Sequence, residues 1–301
     1  MRHLKRGALL RLLTGATILA LGATGCSNNN SGPASSLLTQ QQADTMSEEL
    51  GYDADDEIST STTSGASSAG LIAQYTPVIG VAAVAPSRLC TPTRSPASPT
   101  DTDKDGVPDS VRFTFDCVLS WPLETDSLTG TIDLLDPTPT VYDHAVERIF
   151  TNVRLERGFT ISGKSSSETR NGTRMSNRDT TTLHQSETNF TTAYVFRDGS
   201  TATHVKTWAS TFTADTAGSI QADQPLPSGL WNISGTSSWT RGAHTYALTV
   251  MTNPDLHYNA TCTTAPRFDA GTLTAVVTKG GQTSTIAVQF TACGTYTVTK
   301  S

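Results

Sequence analysis

Asp101, Asp103 and Asp105 stand at alternate positions, Gly106 follows at once, and Asp109 lies four residues beyond Asp105, in the run DTDKDGVPD at 101–109. Alternate spacing in a turning segment gathers three carboxylates around one point, and a glycine permits the sharp turn that closes such a loop. A backbone carbonyl from Val107 and the side chain of Asp109 complete an oxygen cage for a hard cation. Four carboxylates this close repel one another strongly without a cation, which favours Ca²⁺ as occupant. Zn²⁺ and copper select nitrogen and sulfur, so an all-oxygen set argues against them.

The loop departs from the EF-hand at position 12, where Arg112 replaces a bidentate Glu, and no flanking helices are readable. It resembles the thrombospondin type 3 calcium loop, DxDxDGxxD, over the nine residues 101–109. The resemblance implies Asp101, Asp103, Asp105 and Asp109 as side-chain ligands and Val107 as a backbone ligand, and implies nothing about the remaining fold. With a basic residue at position 12, Asp116 or water is left to complete the shell. A structural ion with no catalytic part is the expectation, and an affinity of about 10⁻⁴–10⁻³ M suffices outside the cytoplasm.

Other chemistry is thin. The chain has no GxSxG elbow, HExxH helix, P-loop or GxGxxG turn. His144, His184, His204, His244 and His257 are scattered singly and read as ordinary strand or loop histidines. Acid pairs such as Asp133 with Asp136, or Glu147 with Glu156, are of the type glycosidases use, but acids are common in this chain. Trp121, Trp208, Trp231 and Trp239 read as core or rim packing. A non-enzyme is therefore expected, with a hydrolase using dispersed acids as the remote rival.

The elements that must hold the acidic loop are strands. Val111, Phe113, Phe115 and Cys117 alternate with Arg112, Thr114 and Asp116, a period of two, and similar runs recur at 128–134, 244–250 and 286–290. Asn171-Gly172, Asp198-Gly199, Arg241-Gly242 and Lys279-Gly280-Gly281 read as hairpin turns. Threonine makes up about a sixth of the chain, a β-branched excess suited to strands. The expected fold is all-β: an antiparallel meander forming a curved sheet, sandwich or half-barrel. Residues 87–100 read as a loop and 71–84 as a first strand. Cys90, Cys117, Cys262 and Cys293 are an even set that permits three pairings, and proximity favours Cys90–Cys117 and Cys262–Cys293.

At the N-terminus, Arg2, Lys5 and Arg6 precede an apolar run from Leu12 to Ala23, the pattern of a secretory signal over 1–25. Ala23-Thr24-Gly25-Cys26 resembles the lipobox of bacterial lipoproteins, apart from Ala23 where that family prefers Leu. The resemblance implies cleavage before Cys26 and acylation with palmitate-type chains, each buried CH₂ contributing about 0.8 kcal/mol to anchoring. Ser27 after the cysteine implies sorting to the outer membrane. Residues 26–70 are expected to be a disordered lipidated tether with a possible short helix over 36–50, followed by the β domain at 71–301. Asp53, Asp55, Asp56 and Glu57 read as a solvated acidic linker.

Composition closes off other classes. The formal charge of −6 becomes −10 once Arg2, Lys5, Arg6 and Arg11 leave with the signal, and no basic patch tracks a nucleic-acid backbone. No stretch after residue 25 reaches the roughly 20 apolar residues of a membrane-spanning helix. The sequence thus describes an exported envelope lipoprotein, held to the membrane through Cys26, with a calcium-stabilised β domain of structural or binding role. The alternative is a carrier that cups a lipid or other apolar ligand in its curved sheet.

Overall fold

The computed structural model describes residues 37–59, 91–120, 124–159, 163–222 and 224–301. The signal segment 1–25, Cys26, the expected strand over 71–84, Cys90 and Trp121 lie outside them.

Among the described residues one helix, α1 (Gln40–Ser59), precedes the strands. Then come β1 (Thr93–Ser95), β2 (Ser110–Ser120), β3 (Glu124–Leu135), β4 (Val146–Phe159), β5 (Lys164–Arg178), β6 (Thr182–Val195) and β7 (Thr201–Ala214). They are followed by β8 (Gly229–Arg241), β9 (His244–Thr252), β10 (Leu256–Tyr258), β11 (Phe268–Ala270), β12 (Thr272–Lys279), β13 (Gln282–Ala292) and β14 (Thr295–Lys300). The strands form a single open sheet in the order β1 to β9, then β12, β13 and β14, while β10 pairs with β11 and with β8. Its ladders are antiparallel, so the all-β meander expected from period-two alternation is what the chain forms. In β7, Ala202, His204, Lys206, Trp208, Ser210, Phe212 and Ala214 are buried, while the residues between them face outward.

Turn chemistry explains most connections. Asp198-Gly199 joins β6 to β7, with Ser200 N donating to Asp198 Oδ1 at 2.9 Å, and the glycines at 242 and 280–281 turn the next hairpins. Asn171-Gly172 is not a turn. It lies inside β5, where the registers to β4 and β6 both shift. Gly172 has φ 128°, and a Cβ there would stand 2.8 Å from Phe190 Cα, so this glycine serves a bulge and a close backbone approach. The segment 87–100 is likewise more than a loop, because β1 within it pairs Thr93 with Thr114 of β2. The strands at either end of the sheet, β1 and β14, are short and rich in Thr, Arg and Lys, which discourages further pairing.

The helix corrects the reading of the acidic segment. Thr39 caps it reciprocally: Gln42 N donates to Thr39 Oγ1 at 3.2 Å and Thr39 N to Gln42 Oε1 at 2.8 Å. Leu38, Ala43, Met46, Leu50 and Ala54 enter the larger apolar cluster with Trp231, Leu248, Val288 and Phe290. The helix then continues through the acids, and Asp53, Asp55 and Glu57 are buried against the sheet instead of solvated. Asp53 meets His204 Nδ1 at 2.5 Å and Lys206 Nζ at 3.4 Å. Asp55 accepts from Arg267 N at 2.9 Å and Nε at 3.0 Å, and Glu57 accepts from Ser210 Oγ at 2.5 Å. The physical reason lies in the polar middle of the sheet: β5 and β7 bury Arg170, Arg174 and Lys206, and buried cations require counter-charges. Asp53 of α1 answers Lys206, Glu187 of β6 answers Arg174 and Lys206, and Glu168 on β5 itself answers Arg170.

A second apolar cluster, under β2, β3 and β4, contains Val107, Val111, Phe113, Ile132, Leu134 and Phe150. It is the floor on which the acidic loop sits. Cys262 and Cys293 form a disulfide with Cα atoms 5.6 Å apart, as proximity suggested. Cys117 is disulfide-bonded too, and Cys90 lies outside the described residues. Among the described residues no helix is long and apolar enough to cross a membrane.

Candidate metal centre

Carboxylate oxygens of Asp101, Asp103 and Asp105 all lie within 4.8 Å of one another. The loop folds this way because the carboxylates also tie down its own backbone. Asp101 accepts from Lys104 N at 2.7 Å and Gly106 N at 3.1 Å, Asp103 Oδ1 from Asp105 N at 3.2 Å, and Asp105 Oδ1 from Val107 N at 2.6 Å. Lys104 and Gly106 take φ of 64° and 91°, the left-handed conformations that reverse the chain. Nothing lies within 4 Å of a Cβ built on Gly106, so the glycine answers a backbone demand and not a lack of room. Val107 has no exposed surface, and its side chain seats the loop on the cluster beneath β2–β4.

Asp109, expected as a ligand, is not in the three-carboxylate group. Its Oδ1 accepts from Thr102 N at 2.9 Å, and its Oδ2 from Thr100 Oγ1 at 2.8 Å and Thr102 Oγ1 at 2.7 Å. These hydrogen bonds hold its carboxyl below the usual range and make it the latch that closes the loop. Asp116 is exposed in the middle of β2 and also stands outside the group. Arg112, at the position where an EF-hand has its Glu, is engaged with Asp133 through Nε at 2.6 Å and Nη2 at 2.8 Å.

The connection between β3 and β4 forms the other wall, which the sequence reading missed. Antiparallel pairing sets Ser110 opposite Leu135, so the end of the loop and the start of this connection are adjacent, and Asp136 N donates to Asp109 O at 3.3 Å. His144 N donates to Asp105 Oδ2 at 2.7 Å, with His144 Nδ1 3.8 Å from the same oxygen. Asp136 Oδ1 accepts from Thr138 N at 2.7 Å, and Asp143 takes Thr138 Oγ1 at 3.0 Å and Ala145 N at 3.0 Å. Burial, with repulsion from Asp105 and Asp101, pushes Asp103 up. Burial, then repulsion from Asp105, Asp103 and Asp143, does the same to Asp136. Asp136 had a signal in the sequence: an acid directly after a strand whose partner strand begins at the acidic loop. Without the register, it looked only like a possible partner for Asp133.

The donor chemistry suits a hard divalent cation. The side chains brought together are oxygen donors, and one of their oxygens, Asp103 Oδ2, is buried without a hydrogen-bond partner.

The remaining candidates are placed elsewhere. Asp133 is bound to Arg112, while Glu147 and Glu156 are nine residues apart on β4 and hence roughly 30 Å apart in an extended strand. His257 sits between Asp269 at 2.6 Å and Asp215 at 3.0 Å, and His184 meets Thr211 Oγ1 at 3.1 Å. Trp208, Trp231 and Trp239 are core residues. A cavity of about 490 Å³ beside α1 has Tyr52, Tyr194 and Phe196 in its wall, but also Glu48, Glu49, Glu168 and Arg241. No protein-family model, curated protein or solved structure matches the chain.

Proposed function

We propose that the chain is an exported, lipid-anchored envelope protein whose β domain is stabilised by one Ca²⁺ at Asp101, Asp103 and Asp105, with a structural or binding role and no catalysis. The observation that carries the metal reading is the convergence of those three carboxylates within 4.8 Å, on a loop whose fold depends on their hydrogen bonds. The signal-like segment and the lipobox-like Ala23-Thr24-Gly25-Cys26 support the anchor. The charged residues in the wall of the cavity beside α1 give a lipid-carrier reading little help, since an apolar ligand would desolvate them.

Thermal unfolding with Ca²⁺ and with chelator tests the metal reading. A Ca²⁺-dependent rise in midpoint is expected, lost in Asp103→Ala and Asp105→Ala, and curves that overlay would reduce the loop to an acidic turn. For the anchor, labelling with a palmitate analogue should depend on Cys26. Equal label in Cys26→Ser would remove that half of the reading.

A further inference from the structure

We propose that the groove between α1 and the inward face of β4–β9 binds a neutral oligosaccharide. The inference rests on the binding role proposed above, gives it a ligand class, and needs neither the cation nor the anchor.

Two adjoining cavities form the groove. The cavity of about 490 Å³ and a second of about 230 Å³ share Thr45 and Arg241 in their walls. The strand register places one side of the trough. Leu155, Glu168, Tyr194, Ala202, Arg241 and His244 are successive ladder partners from β4 to β9, so their side chains fall on one face of the sheet. All of them except the buried Ala202 stand in the cavity walls. The other side is helical: Gln41, Thr45, Glu48 and Tyr52 share one side of α1 over roughly 16 Å. A trough of that length suits a short chain of linked rings.

The chemistry of the walls selects the ligand. Tyr52, Tyr194 and Phe196 are each half-buried in the wall. The rings of Tyr194 and Phe196 stack with 12° between their planes, and the Arg241 guanidinium stands 4.8 Å from the centre of the Phe196 ring. An apolar ligand would strand Glu48, Glu49 and Arg241 without water. An anion meets those carboxylates, and an ammonium ion meets the guanidinium. The wall also has little net charge to attract either one. Arg170 answers Glu168 at 2.5 Å, and burial pushes Glu49 up to about 7. What is left is a set of planar hydrogen-bonding groups beside aromatic rings, the lining that orients a small polar ligand. Each hydroxyl of a pyranose both donates and accepts, so one ligand group serves carboxylate and guanidinium alike, while its C–H face lies on a ring. An uncharged peptide keeps its donors and acceptors in separate groups and fits this mixed wall less well.

The test uses the full chain, purified in a detergent without a sugar head group and applied to an array of neutral and charged glycans, with calorimetry on each hit. A neutral oligosaccharide should bind, and Tyr194→Ala and Glu48→Gln should each weaken it about tenfold. Thr207→Ala, on the outward face of β7, should bind like the parent. If Tyr194→Ala does not fold by circular dichroism, Ser166→Trp, which fills the cavity, takes its place and should abolish binding. No hit, or hits among charged glycans alone, overturns the proposal. So does parental affinity in the groove variants, or a capped trialanine peptide that binds as tightly as the sugar. The acidic loop lies by the start of β4, and Leu155 is nine residues further along that strand, roughly 30 Å. Binding should therefore persist in chelator. Its loss from a chain still folded would place the ligand at the loop and overturn the groove. Sugar binding in a chain whose unfolding ignores Ca²⁺ supports the groove and removes the metal reading alone.

Discussion

Among the described residues, buried carboxylates lie under α1 and at the acidic loop, and their neighbours decide what each does. Under α1, burial would raise Asp53, but Lys206 at 3.4 Å and His204 at 2.5 Å outweigh it and hold its carboxyl well below the usual range. Glu49 has a weaker set of partners: burial pushes it up to about 7, with Trp239 Nε1 donating to it, Asp53 repelling it and Arg241 attracting it. Glu57 is also pushed up to about 7, by burial and then by repulsion from Glu187. A carboxyl raised in the folded state binds a proton there that the unfolded chain has already released, so between pH 4.5 and 7 stability falls as pH rises. The midpoint should therefore be higher at pH 5 than at pH 8. Glu49→Gln keeps an acceptor for Trp239 and should raise the midpoint at pH 8 while changing it little at pH 5. His257, raised by its contacts with Asp269 and Asp215 although burial opposes this, loses its contribution as pH climbs above 6.5 in both proteins. Comparing parent and variant at fixed Ca²⁺ cancels it. Parallel pH profiles for the two would show that Glu49 does not titrate in this window.

At the scale of elements, strands were legible because their information is local. The alternation at 111–117 and the glycines at 199, 242 and 280–281 state period and turn without reference to anything distant. Asn171-Gly172 misled for the same reason: a dipeptide that permits a turn also permits a bulge, and only the approach of Phe190 on β6 distinguishes them. The helix was legible as far as Leu50, where apolar spacing runs out. Beyond it the face that binds the sheet is acidic, and nothing local tells Asp53 and Glu57 from a solvated run. Their partners, His204, Lys206 and Ser210, stand about 150 positions away on β7, as the sequence separations of 151 and 153 for two of these contacts show. The acidic loop divides in the same way. The carboxylates of Asp101, Asp103 and Asp105 gather as their alternate spacing implies, while the latch made by Asp109 and the burial of Asp136 beside it depend on hydrogen bonds and register that spacing does not encode.

For the molecule as a whole, the meander poses a problem that fastenings near its ends answer. Each strand pairs only with its neighbours, so the terminal strands are held on one side and are the natural places for fraying. The proposed ion would sit in the segment entering β2, which Asp136 N donating to Asp109 O joins to the segment leaving β3, close to one end of the sheet. At the other end, Cys262–Cys293 ties the β10–β11 connection to the β13–β14 turn across a separation of 31 residues. Closing a loop of that length removes roughly 3–4 kcal/mol of unfolded-state entropy. A domain of this size shifts about 2–4 °C per kcal/mol, so the paired replacement Cys262→Ser with Cys293→Ser should lower the midpoint by roughly 10 °C. It also leaves Cys117 untouched, which chemical reduction would not. The ion and the disulfide share no side chain, so their contributions should add to within about 0.5 kcal/mol. The four unfolding curves, parent and paired variant each with Ca²⁺ and with chelator, measure that sum directly. An additive result means that each fastening restrains its own end of the sheet. If chelation costs the disulfide-free variant much less than it costs the parent, the far end already opens first and exposes the rest. The fold would then behave as a chain of neighbours, not one cooperative sheet.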